Sequence, residues 1–182
     1  VSIDDTIVAG GRGATLFSGG DGSAPLVTAG IVAIGGTLAK ATVVVTKSAI
    51  SGGRGGGTTG SSSVGIFTNS AAVTLDRSRV YGGDGDEQSA DATSLTSASI
   101  TYGVLSQNGT VNATNSLVHG GGADVEAKTR ATRFTRGFTM EGSRLEGRHL
   151  TILAGVGIGN DIGVLFTKGG GAGISSSLIV AE

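Results

Sequence analysis

Six times along the chain the positions read apolar, any, apolar, any, any, hydroxyl, any, apolar, any, small. The clearest copy is residues 73–82, VTLDRSRVYG, with further copies at 43–52 (VVVTKSAISG) and 111–120 (VNATNSLVHG). Weaker copies occupy 1–10 (VSIDDTIVAG), 145–154 (LEGRHLTILA) and 172–181 (AGISSSLIVA). Alternation with a period of two predicts strands with one face buried. Each copy therefore predicts a short apolar-x-apolar strand, a two-residue link, and a second short strand ending at a small residue.

The hydroxyl positions serve as anchors: Thr6, Ser48, Ser78, Ser116, Leu150 and Ser177, with Leu150 the one departure. A further apolar stretch precedes every anchor after the first, marked by Gly30-Ile31, Gly65-Ile66, Gly103-Val104, Gly137-Phe138 and Gly163-Val164. From that glycine to the next anchor is 18, 13, 13, 13 and 14 residues. The remainder, after Gly10-Gly11, Gly52-Gly53, Gly82-Gly83 and Gly120-Gly121, carries the variation in length. Each unit thus predicts three strands and one variable loop. One unit cannot bury its own inner face, whereas stacked units bury each other's, which is the logic of a solenoid. An antiparallel sandwich would not explain a link of constant length in all six copies. Ser143-Arg-Leu145-Glu-Gly147 also fits the end of the motif, but the 13-residue spacing from Gly137 selects Leu150 as the anchor.

Composition narrows the rest. Glycine is 35 of 182 residues and proline 1, yet 38% of positions are apolar, so the glycines punctuate a core rather than replace it. Aromatic residues are 4% and tryptophan is absent, which predicts aliphatic ladders. A net charge of -1 gives no electrostatic attraction for nucleic acid or an anionic membrane. Without cysteine there is neither disulfide nor thiol chemistry, and no apolar run reaches the roughly 18 residues of a membrane helix.

The repeat resembles the right-handed parallel β-helix of the pectate-lyase-like superfamily, as found in bacterial surface and secreted repeat proteins. The resemblance rests on the small polar residue at the tight turn, here Ser48, Ser78, Ser116 and Ser177, and on the place of the variable loop. It implies an all-β, single-stranded parallel β-helix of about six rungs formed by residues 1–182, with hydroxyls satisfying backbone groups of adjacent rungs. It also raises polysaccharide cleavage, which calls for paired carboxylates, or for Asp, Arg and Lys with calcium, on the first sheet. With Ile66 and Val104 inward, the outward positions there are Val32, Phe67, Leu105, Thr139 and Leu165, without an acid or a base. The acids Asp4, Asp5, Asp76 and Glu146 form no compact pair on one sheet.

Other candidate chemistry is sparse. Gly82-Gly83-Asp84-Gly85-Asp86-Glu87 carries part of a calcium-binding β-roll spacing, so Asp84, Asp86 and Glu87 are the metal candidates and calcium is the cofactor they would hold. Its single occurrence favours a solvated loop. His119 and His149 sit in different units without a ligand partner at metal spacing. Lys128, Arg130, Arg133, Arg136, Arg144 and Arg148 form a loose basic region interleaved with Asp124, Glu126, Glu141 and Glu146, which reads as a salt-bridged surface or a patch for an acidic glycan. The apolar outward row is the more positive feature, because a strip of that size marks an interface unless loops cover it.

The expectation is a non-enzymatic structural or adhesive module of a secreted or cell-surface protein. It would contact a protein or glycan through the outward row and the loops at 12–28, 54–63, 84–101 and 122–135. The alternative is a polysaccharide-active enzyme or carbohydrate-binding relative of pectate lyases. Both end units lack a polar cap, which predicts membership of a longer solenoid or end-to-end self-association.

Overall fold

The structure, a computed structural model, describes residues 1–10, 27–36, 40–53, 62–84, 99–122, 132–157 and 161–181. These residues hold no helix. The chain folds into a parallel β-helix of six rungs built from three sheets. The first sheet comprises β3 (Val27–Ile34), β6 (Ser62–Asn69), β9 (Ser99–Gln107), β12 (Thr132–Glu141) and β15 (Ile162–Thr167). The second comprises β1 (Ser2–Asp4), β4 (Ala41–Thr46), β7 (Ala71–Asp76), β10 (Thr110–Thr114), β13 (Arg144–Arg148) and β16 (Gly171–Ser175). The third comprises β2 (Ile7–Ala9), β5 (Ala49–Ser51), β8 (Arg79–Tyr81), β11 (Leu117–His119), β14 (Thr151–Leu153) and β17 (Leu178–Val180). Every pairing is parallel, and the two-residue link joins the second sheet to the third in all six rungs.

The core is a set of aliphatic ladders. Ile31, Ile66, Val104, Phe138 and Val164 stack along the first sheet. Val43, Val73, Val111 and Leu145 stack along the second, and Val8, Ile50, Val80, Val118, Ile152 and Ile179 along the third. Most of the middle members are fully buried. Stacking like on like keeps every aliphatic side chain against its own kind in the rung above and below, the packing a solenoid core requires.

The serine ladder explains why the link is constant. The residue before each anchor is left-handed: Asp5, Lys47, Arg77, Asn115, His149 and Ser176 all have φ between 46° and 54°. That conformation breaks the strand pairing, and the serine hydroxyl restores what is lost. Ser48 Oγ donates to the Thr46 carbonyl at 2.7 Å and accepts the Thr6 N–H at 3.1 Å. Ser78 Oγ lies 2.8 Å from the Asp76 carbonyl and accepts the Ser48 N–H at 3.2 Å, while Ser116 Oγ accepts from Ser78 at 3.1 Å. Ser177 Oγ accepts from Leu150 at 3.0 Å. Leu150 breaks the chain of hydroxyls for a packing reason. A Cβ on Gly147 would lie 2.6 Å from Leu150 Cδ1, so the leucine fills the space that Ala113 occupies one rung earlier. The choice of Leu150 over Ser143 as anchor is borne out, since β13 and β14 flank it.

Two glycine columns set the closeness of the walls. A Cβ on Gly65, Gly103 or Gly137 would sit 2.6–2.7 Å from the inward Val80, Val118 or Ile152 of the third sheet. At the other corner the second glycine of each pair, Gly53, Gly83 and Gly121, has φ of 79°, 94° and 91°, where an L side chain is strained.

Candidate functional site on the outer face of the first sheet

The five residues expected to point outward form one in-register row, Val32–Phe67–Leu105–Thr139–Leu165. The row is less open than a bare stripe. Val32 is 41% exposed, Phe67, Leu105 and Leu165 are half-buried, and Thr139 is 1% exposed. The Thr139 hydroxyl has no hydrogen-bond partner among the described residues.

A second outward column was not foreseen. The would-be Cβ of Gly103 meets Val118, so Gly103 faces inward, and Val104 beside it is in the core. Two consecutive inward positions break the alternation and turn Tyr102 outward. Its row is Ala29–Val64–Tyr102–Arg136–Ile162, in which Val64 is fully buried and the other four are half-buried. The Arg136 guanidinium carbon lies 5.6 Å from the centroid of the Tyr102 ring, a cation–π distance. Arg136 Nε is buried without a hydrogen-bond partner among the described residues. Burial pushes the Tyr102 hydroxyl above its ordinary pKa. Arg136 opposes that shift and Glu141 reinforces it. Strict alternation counted back from Val104 places Tyr102 inside, and the recurring glycine was the available signal that the alternation slips. The third row, Ile34–Asn69–Gln107–Glu141–Thr167, is polar at four of five positions, and Gln107 Nε2 and, from just beyond the row, Lys168 Nζ each donate to Glu141 Oε2 at 3.1 Å.

The other candidates scatter. Asp4 and Asp76 share a row on the outer face of the second sheet, and Glu146 lies two rungs beyond Asp76 in the neighbouring column. Asp76 accepts from Arg77 Nε at 2.7 Å and Thr114 Oγ1 at 3.1 Å, and these bonds, Arg77 foremost, hold its carboxyl below the usual range. Glu146 pairs with Arg144. Asp84 accepts from the Tyr81 hydroxyl at 3.3 Å, while Asp86 and Glu87 lie outside the described residues. No group of three potential metal ligands occurs among the described residues. His119 Nδ1 accepts the Gly121 N–H at 2.8 Å and its ring lies 5.2 Å from that of Tyr81, whereas His149 occupies a left-handed turn position. Of the basic region, Lys128 and Arg130 lie outside the described residues, as does most of each expected contact loop. No helix among the described residues is long and apolar enough to cross a membrane.

Compared with protein families, curated proteins and solved structures, the chain matches none.

Proposed function

We propose that this β-helix is a structural and adhesive module of a secreted or cell-surface protein. It presents the outer face of its first sheet to a protein or glycan partner. The observation that carries the reading is the in-register row from Val32 to Leu165, apolar at four of five positions. A rigid row of aliphatic and aromatic side chains contributes to binding through burial, and rigidity lowers the ordering cost of association. The non-enzymatic part is supported by the local pairing of Asp76, Glu141 and Glu146, each engaged by a neighbouring base. A carbohydrate-binding relative of the pectate-lyase-like superfamily is the second reading, favoured by the Tyr102–Arg136 pair on the same face. End-to-end stacking of copies would extend either.

The test is retention of the protein on intact cells and on immobilised glycans, with Leu105→Asp and Tyr102→Ala beside the parent. Retention lost in Leu105→Asp with an unchanged melting temperature supports the adhesive face. Retention indifferent to both substitutions overturns it.

A further inference from the structure

Two stretches of the chain share one acceptor motif, an asparagine followed two residues later by a threonine: Asn108-Gly109-Thr110 and Asn112-Ala113-Thr114. Transferases attach a sugar to the amide nitrogen of an asparagine in this setting, on accessible surface segments of secreted proteins. None of the other asparagines, Asn69, Asn115 and Asn160, has a hydroxyl residue two positions on. The motif does not separate the two copies, but their places in the fold do.

Asn108 stands in the two-residue turn between β9 and β10, exposed and left-handed with φ of 52°. Its backbone is held: the Asn108 N–H donates to the Glu141 carbonyl at 2.8 Å, and the Gly109 N–H donates to Ser143 Oγ at 3.0 Å. Its side-chain amide makes no hydrogen bond among the described residues. The neighbours along this corner are small, Ser70 on one side and Gly142 on the other. A Cβ on Gly142 would lie 2.9 Å from Asn108 Oδ1, so the glycine leaves the amide its room. Asn112 is the contrasting case. It lies mid-strand on β10, paired on both sides, in the row between Thr74 and Glu146. Extended backbone holds Asn112 and Thr114 about 7 Å apart along the strand. The Thr114 hydroxyl is already engaged, donating to Asp76 Oδ1 at 3.1 Å.

We propose that Asn108 is a glycosylation acceptor that takes a hexose from an activated glycosyl diphosphate donor. In the transfer the Asn108 amide nitrogen attacks the anomeric carbon of the donor. The bond from that carbon to the phosphate oxygen breaks, the diphosphate leaves with the electron pair, and the nitrogen gives up one proton. The Thr110 hydroxyl is the part of the motif that the transferase reads. Asn108 lies at the corner of the first and second sheets, and the polar third row, Gln107 included, lies between it and the apolar row. A single sugar there leaves the apolar row open, and the site does not depend on what that row contacts.

The experiment incubates the folded whole chain with nucleotide-activated glucose and a soluble asparagine glycosyltransferase that recognises the Asn-x-Thr motif. Mass spectrometry of the digested chain then locates the incorporated sugar. Two synthetic peptides, one around each motif, are treated in the same way. The expected result is one hexose on the folded chain, at Asn108, with both peptides modified. Asn108→Gln and Thr110→Ala each lose the incorporation, and Asn112→Gln keeps it. Asn108 and Asn112 are both exposed, so their glutamine variants keep the parental melting temperature. Absence of sugar from the folded chain overturns the proposal, as does equal or greater incorporation at Asn112. Incorporation that survives Asn108→Gln overturns it as well. A preference for Asn108 already present between the peptides would remove its basis in the fold.

Discussion

At the scale of single residues the fold depends on buried hydroxyls at the turns, Ser48, Ser78 and Ser116. Ser78 is 1% exposed and bridges two rungs. Ser78→Ala leaves the buried Ser48 N–H without an acceptor, which costs about 1–3 kcal/mol. A thermal melt of the variant checks this, and an unchanged midpoint would remove the ladder from the account. Tyr102 offers a second test. Its ionisation, followed by ultraviolet absorbance, is expected above the ordinary value of about 10, and Tyr102→Phe removes that component. The folded form holds this proton more tightly than the unfolded chain. The corresponding stability is therefore present below pH about 10 and is lost as pH rises through the folded pKa. Asp76 has the opposite sign: its depressed pKa gives a contribution lost as pH falls, and Arg77→Ala should raise that pKa in an NMR titration.

At the scale of the element, the glycines decide how closely the strands approach. Gly103→Ala places a methyl 2.6 Å from Val118 Cγ1 and 2.7 Å from the Gly137 carbonyl, and overpacking of this kind costs about 1–3 kcal/mol. Gly171→Ala, with nothing within 4 Å of the added carbon, is expected to be neutral or slightly stabilising in the same melts. The Leu150 departure gives a sharper check. Gly147→Ala crowds the leucine, and Leu150→Ser empties its site while returning an acceptor to the Ser116 N–H. Together they rebuild the pattern of the preceding rung, Ala113 with Ser116. The double variant should therefore be more stable than the sum of the singles by about 0.5–3 kcal/mol, whereas additivity would contradict the packing argument.

The strands, their grouping into rungs and the register at Leu150 were legible in the sequence because period-two alternation and a constant link both depend on local geometry. The outward row was legible for the same reason, since Ile66 and Val104 fix the face of Phe67 and Leu105. Tyr102 and Arg136 were not, because two successive inward positions at Gly103 and Val104 shift the phase by one. The difference between Asn108 and Asn112 was hidden too. It arises from Gly142 and Ser143 one rung on, and no spacing within the motif encodes those neighbours.

At the scale of the whole molecule, the described residues form a β-helix with three sheet faces of different character. The second-sheet face carries surface ion pairs, which add little to stability. The first-sheet face carries the apolar row, and the third carries Tyr81 beside His119. Under the proposed reading the faces serve recognition and the ladders serve support. The most direct measurement is release of reducing or unsaturated ends from a panel of acidic and neutral polysaccharides, with calcium and with a chelator, alongside retention on the same polymers and on cells. Retention without turnover is the predicted result. Turnover of any polymer would contradict the account of a non-enzymatic module.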